Sequence, residues 1–180
     1  QSDNIVIGNN SAVTEDALSS SAYSKNIIIG NNTAVTISDH GGSPASRNVL
    51  IGNLISPSIS GNNNVAIGGN LCFGGTSGYT SGGNNVFLGA DTARAITSGH
   101  SNVGIGSQVF LDLSTARNNV ALGFGAGVRQ RSDYSTFLGS YAGSALDADY
   151  CTVVGYGSAS GVYANSTLCV GTTAVGHYAL

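Results

Sequence analysis

A five-residue phrase recurs ten times along the 180-residue chain: one polar position, three apolar positions, then glycine. Its copies are Asn4–Gly8, Asn26–Gly30, Asn48–Gly52, Asn64–Gly68, Asn85–Gly89, Asn102–Gly106, Asn119–Gly123, Ser135–Gly139, Cys151–Gly155 and Thr167–Gly171. On a strand the first and third apolar residues share one face and the second takes the other. The third is always Ile, Leu or Val, and the first is mostly Val or Ile, with Thr136 and Thr152 as isosteric exceptions. That uniformity fits a narrow solenoid interior. The second varies far more and is never charged: Val6, Ile28, Leu50, Ala66, Phe87, Gly104, Ala121, Phe137, Val153 and Cys169.

The spacing of the closing glycines is long and uneven up to Gly89 and nearly constant from there to Gly171, a periodicity that means stacked repeats. Each repeat is too small to bury its own apolar face, so neighbours must cover it. After each glycine a weaker strand is expected. Small residues follow three and four positions on (Thr92-Ala93, Ala142-Gly143), and an apolar residue often returns at seven (Ile96, Leu113, Leu146). The fold expected is all-β: a parallel β-roll of about ten rungs, two short strands per turn, about 45–50 Å long at ~4.8 Å per rung. The leading Asn residues would form a ladder that satisfies turn backbone groups. The variable middle residues would then lie outside as an apolar stripe. The economical cover is sister chains around an axis, with those ten residues as trimer-axis packing and large–small alternation such as Phe87 beside Gly104. A sheet covered by its own loops is the alternative. One repeat domain spans 1–180, with longer loops in 1–84 and shorter, regular repeats in 85–180.

Composition narrows the function. Charged residues are 8% against a usual ~25%, yet hydrophobic residues reach 41% at fixed positions, which argues for order. The surface must be mostly Ser, Thr, Asn and Gly, which suits glycan contact. A net charge of −3 with six basic residues sets nucleic acid aside. No apolar run is long enough to insert directly into a membrane, and no signal peptide is visible. The last residues still read as repeat and no polar cap is visible, so flanking domains are expected outside the chain. Cys72, Cys151 and Cys169 are read as free. Cys151 and Cys169 would sit about 8 Å apart, too far for an unstrained bridge.

At Asn63–Gly68, Ser101–Gly106 and Asn118–Gly123 the chain resembles the S-V-A-I-G repeat of trimeric autotransporter adhesin heads (the YadA-like β-roll). It also resembles the N-N-x-A-[IVL]-G repeats of bacteriophage tail fibres, to which Thr173–Leu180 is especially close. The resemblance spans almost the whole chain. It implies a left-handed, homotrimeric fibre segment, extracellular on a cell surface or virion tail fibre, that attaches to a target cell's glycan or surface protein. The departures are a period longer than the one common in YadA-like heads, and no visible coiled coil or anchor.

Candidate chemistry is sparse. His40, His100 and His177 are scattered, and no nucleophile turn or oxyanion signature accompanies them, so catalysis is not expected and no cofactor is called for. Asp133 and Asp149 are one local period apart, in register on adjacent rungs, with Asn165 following. Solvated turn aspartates are the default; a Ca²⁺ site and a retaining-glycosidase pair are the alternatives. Tyr134 and Tyr150 share that offset, so their rings could stack, and with Tyr141, Tyr156 and Tyr163 they suit sugar binding or an edge ladder. Insertions at 14–25, 36–47 and 72–84 are further binding candidates; the last offers Phe73 and Tyr79, with tolerated surface insertion as the alternative. Arg117, Arg129 and Arg131 could form a small basic group.

Overall fold

The computed structural model describes residues 3–15, 25–31, 34–37, 46–53, 56–59, 61–73, 82–161 and 171–180. In chain order the strands are β1 (Ile5–Ile7), β2 (Ala12–Glu15), β3 (Ile27–Ile29), β4 (Ala34–Ile37), β5 (Val49–Ile51), β6 (Ser56–Ile59), β7 (Val65–Ile67), β8 (Cys72–Phe73), β9 (Val86–Leu88), β10 (Val103–Ile105), β11 (Val120–Leu122), β12 (Thr136–Leu138), β13 (Thr152–Val154) and β14 (Thr173–Val175). Ten stack as one parallel sheet, β1-β3-β5-β7-β9-β10-β11-β12-β13-β14; four form a second, β2-β4-β6-β8. The chain is thus an all-β parallel solenoid. Among the described residues there is no helix, and so none long and apolar enough to cross a membrane.

Motif pairs with motif in register: Val103 lies beside Val86 and Val120, and Phe137 beside Ala121 and Val153. The glycine that ends each strand has φ between +125° and +157°. A Cβ at Gly52 would sit 1.6 Å from the carbonyl oxygen of Gly68. Backbone thus packs on backbone at this corner, which no side chain permits.

The two sheet faces are the reverse of the expectation. Ile28, Leu50, Ala66, Phe87, Ala121, Phe137 and Val153 are buried within this single chain, as is Gly104. They line its own interior and not an axis between copies. Val6, on the first rung, is 40% exposed, and Cys169 lies outside the described residues. The first and third positions face outward instead, with Ile7 57%, Leu122 46% and Val175 67% exposed. Alternation defines two faces but does not say which one closes on the return segment. The large–small pairing is real, but it operates inside. A Cβ at Gly104 would meet Phe87 at 3.0 Å and Phe110 at 3.2 Å, and one at Gly143 would meet the Phe137 ring at 2.3 Å. Phe110 and Phe137 pack edge to face at 6.4 Å.

Among the described residues the return segment is a strand only in the first four rungs. There it reads Ala12-Val-Thr-Glu15 and Ala34-Val-Thr-Ile37, rich in β-branched residues. From β9 onward it turns through a left-handed residue, mostly within a small pair such as Ala126-Gly127 or Ala142-Gly143, with Val109-Phe110 the exception. Ala93, Phe110, Gly127, Gly143 and Ala159 have φ between +51° and +60°. The returning apolar residues Ile96, Leu113 and Leu146 are buried as expected.

The tenth strand also differs. It is β14, which pairs Thr173 with Thr152, Ala174 with Val153 and Val175 with Val154. The phrase Thr167–Gly171 is therefore not the tenth rung; residues 162–170 lie outside the described residues.

The Asn ladder forms. Asn85 Oδ1 accepts from Asn102 N (3.0 Å) and Asn102 Nδ2 (3.1 Å), and Asn102 Nδ2 also donates to Ala116 O at 2.8 Å. The same amide-to-amide bonding runs from Asn4 through Asn119. Ser135 continues it by donating its N–H to Asn119 Oδ1, and Cys151 donates its N–H to Ser135 Oγ. Where Ser replaces Asn the side chain is shorter, and buried Gln130 reaches in, with Nε2 donating to Ser132 O (2.7 Å) and Ala148 O (3.2 Å). Cys151 is buried, and its Sγ donates to Asp149 O at 3.4 Å.

Candidate functional site

The chain enters β5, β7 and β9 to β13 through a left-handed corner residue. Arg47, Asn63, Asn84, Ser101, Asn118, Tyr134 and Tyr150 all have φ between +58° and +61°. Each N–H bonds to an earlier rung: Tyr134 N donates to Arg117 O (3.0 Å) and Tyr150 N to Asp133 O (3.1 Å). Asn tolerates this conformation, whereas a bulky ring is strained there. Tyrosine on two successive rungs is therefore a local departure of the kind that marks functional positions. The two rings stack at 5.2 Å with 1° between their planes, half-exposed to solvent.

The residue before each corner forms a second column: His100, Arg117, Asp133 and Asp149, one per rung. With Ser98, Thr115, Arg131 and Ser132 it lines an open polar groove of about 490 Å³. Each aspartate closes the turn of the preceding rung. Asp133 Oδ1 accepts from Arg117 N (2.8 Å), Asp149 Oδ1 from Asp133 N (2.6 Å), and Asp147 Oδ1 from Arg131 N and Ser132 Oγ (both 2.9 Å). The second oxygen of Asp133 takes Arg117 Nε at 3.0 Å, and Arg131 reaches Asp112 at 3.4 Å.

Chemically, the groove offers guanidinium N–H groups and carboxylate oxygens in fixed, paired positions, with serine, threonine and imidazole groups between them. Such an array recognises several hydroxyl groups at once. Both oxygens of Asp133 are engaged by Arg117, and Asp149 is tied to the Asp133 backbone through Oδ1. Among the described residues no group of three or more His, Cys, Asp or Glu could hold a metal ion.

The sequence places Asp133, Asp149, Tyr134 and Tyr150 on neighbouring rungs, and the structure brings them together with Arg117 and Arg131. Arg129 is exposed and does not line the groove. His100, scattered by sequence, joins the column. Its signal is nonetheless present in the chain: it precedes Arg117 by one local period, and Asp133 and Asp149 follow at one period each. Phe73 belongs to β8, which pairs it with Pro57, and its side chain lies outside the description. Tyr79, His40, Tyr163 and Asn165 lie outside the described residues, as does most of each long insertion. The chain matches no protein-family model, no curated protein and no solved structure.

Proposed function

We propose that the chain is a segment of a homotrimeric, left-handed attachment fibre that holds a glycan-binding edge against a target cell surface. It would act outside the cell, on a bacterial surface or a virion tail fibre, without catalysis or cofactor. The observation that carries this reading is a rigid ladder with two unlike sides. The outer sheet face presents two uniform rows of aliphatic and β-branched side chains along about 43 Å, nine steps of ~4.8 Å. A contiguous exposed face of that kind on a soluble chain marks an interaction surface. Because every rung repeats the same face, copies of the chain lying alongside cover it best, and closed symmetry leaves none of it bare. The resemblance to trimeric fibre repeats selects three copies. The groove between His100 and Asp149 stays open at the corner, and three copies would give three weak contacts that add through avidity.

The test pairs mass with binding. Sedimentation equilibrium should give three chains per particle, and immobilised cell-surface glycans should retain it. Tyr134→Ala with Tyr150→Ala should weaken retention at unchanged mass. A monomeric particle would remove the fibre reading.

A purely structural shaft is the second reading, and one observation favours it: the groove's charges are already paired internally, Arg117 with Asp133 and Arg131 with Asp112. A stable trimer that binds no glycan selects the shaft. A polysaccharide-degrading tail spike is third, since Asp133 is committed to Arg117. Sugar release that disappears in Asp133→Asn or Asp149→Asn would favour it.

A further inference from the structure

The chain leaves each strand through a different corner, made by the two residues after the motif glycine. On the rungs of β11 to β14 these are Phe124-Gly125, Ser140-Tyr141, Tyr156-Gly157 and His177-Tyr178. Every one of these rungs carries an aromatic ring. The second position is left-handed on all four, with φ of +62° at Gly125, +58° at Tyr141, +59° at Gly157 and +50° at Tyr178. Glycine adopts this freely and tyrosine does not. Each tyrosine ring lies across the glycine of the rung before. A Cβ at Gly125 would come within 3.0 Å of the Tyr141 ring, and one at Gly157 within 2.5 Å of the Tyr178 ring.

The rings form a strip of edge-to-face contacts: Phe124 to Tyr141 at 5.2 Å, Tyr141 to Tyr156 at 6.2 Å and Tyr156 to Tyr178 at 5.5 Å. All four are between 40% and 58% exposed, so the strip is built but not covered. A slot of about 230 Å³ lies between Tyr141 and Tyr178, two rungs or about 9.6 Å apart, with Gly157 on the rung between them. Tyr156 lies beside it, and Ser144 and Ser160 complete the lining.

Those lining groups specify the occupant. No charged side chain lines the slot, so neither an anion nor a cation finds a counter-charge there. Ring faces accept an apolar C–H surface, and phenol and serine hydroxyls exchange hydrogen bonds with other hydroxyls. A ligand that is flat, uncharged, apolar on its faces and hydroxylated at its rim meets all of these conditions at once. Tyr156, by hydrogen bonding and by charge, raises the Tyr178 phenol above its ordinary value.

We propose that this slot binds one neutral pyranose residue of a saccharide chain, whose neighbouring residues lie along the strip from Phe124 to Tyr178. The proposal rests on the attachment reading for its ligand class, but its site is separate from the charged groove at the other corner.

The experiment titrates the full chain with tetrasaccharides of glucose, galactose, mannose and N-acetylglucosamine, with sialyllactose as the charged comparison. Binding is followed by saturation-transfer NMR and by intrinsic fluorescence, which arises from tyrosine alone because the chain has eight Tyr and no Trp. At least one neutral probe should bind. Tyr141→Ala and Tyr178→Ala should each weaken it at least tenfold, while Tyr178→Phe retains it. Tyr134→Ala with Tyr150→Ala should leave it unchanged, which separates failure of the slot from failure of the groove. In the wild-type chain the probe should shift the ring resonances of Tyr141 and Tyr178, a readout that survives if an alanine variant does not fold. The proposal is overturned if no neutral probe binds, if binding persists in both alanine variants, if only sialyllactose binds, or if the alanine variants change only the particle's mass.

Discussion

Two kinds of residue carry this fold, and each fails in its own way. The ladder Asn residues satisfy buried backbone groups that nothing else reaches. Replacing Asn102 by Ala leaves the N–H of Asn119, the carbonyl of Ala116 and the Oδ1 of Asn85 short of a partner. Buried groups left unpaired cost about 1–3 kcal/mol each. Asn102→Ala should therefore lower unfolding free energy by roughly 3 kcal/mol, measured by urea denaturation, and Asn102→Ser should recover part of it, as Ser135 does naturally. The interior glycines are the second kind. At Gly143 an added methyl would meet the Phe137 ring at 2.3 Å, and φ is +60°. Overpacking and left-handed strain together predict a loss of roughly 2–4 kcal/mol for Gly143→Ala, relieved in part by Phe137→Leu. At the aromatic corner, Tyr178 has a raised pKa, caused first by its hydrogen bond to Tyr156 and then by that neighbour's charge. A folded value above the unfolded one means its contribution is complete below pH ~10 and fades as pH climbs through the folded value. Ultraviolet titration of the phenolates should show Tyr178 ionising late, and Tyr156→Phe should return it toward the ordinary range.

At the scale of the element, each three-residue strand has an inner and an outer face, and substitutions on the two should part company. Ala121 is buried beside Phe137, so Ala121→Asp should unfold the chain, read as loss of the β-sheet circular dichroism signal. Leu122, one residue on, is 46% exposed. Leu122→Lys should leave the dichroism spectrum intact and reduce the particle's mass in sedimentation. If Leu122→Lys instead unfolds the chain at unchanged mass, the outer face is not the seam between copies. This contrast also marks how far the sequence could be read. Register was legible, because the recurring motif alone brings Val103 beside Val120 and Asp133 beside Asp149. Which face closes inward was not, because uniform positions suit a narrow interior and a flat seam equally well. Only the return segment decides, by supplying Phe110 next to Gly104. The last rung was ambiguous for a related reason. Thr167–Gly171 and Thr172–Gly176 both end in a β-branched residue and glycine, and the first keeps the shorter step. The second wins because the residues after Gly176 dock on the rung before. Ala159 N donates to Ala179 O at 2.8 Å, and Tyr178 settles over Gly157. The corner with Tyr134, Tyr150 and the aspartates was visible as an offset of one period. The aromatic slot was legible only in part: Tyr141 and Tyr156 stood out as sugar-binding candidates, but Tyr178 and the grouping did not, because these tyrosines alternate between two corner positions and so break the period.

Across the whole molecule, stability should come from stacking and not from charge. Only three ion pairs occur among the described residues, all with substantial exposure: Lys25–Asp3, Arg117–Asp133 and Arg131–Asp112. Pairs of that kind contribute about 0–1 kcal/mol each and weaken in salt. Each rung touches only its neighbours, so stability accumulates along the rod rung by rung, while the outer face of every rung waits for a partner. If copies cover that face, association stabilises the folded state by mass action, and the apparent melting temperature depends on protein concentration. Thermal melts over a hundredfold range of concentration should therefore rise steadily with concentration. Raising sodium chloride from about 0.05 to about 1 M should leave the midpoint nearly unchanged, since few charges are engaged. Leu122→Lys should flatten the concentration dependence without altering the salt response. A midpoint independent of concentration, together with the mass of one chain, would mean the exposed rows are tolerated by a solitary solenoid, and the case for a multi-chain fibre would fall with them.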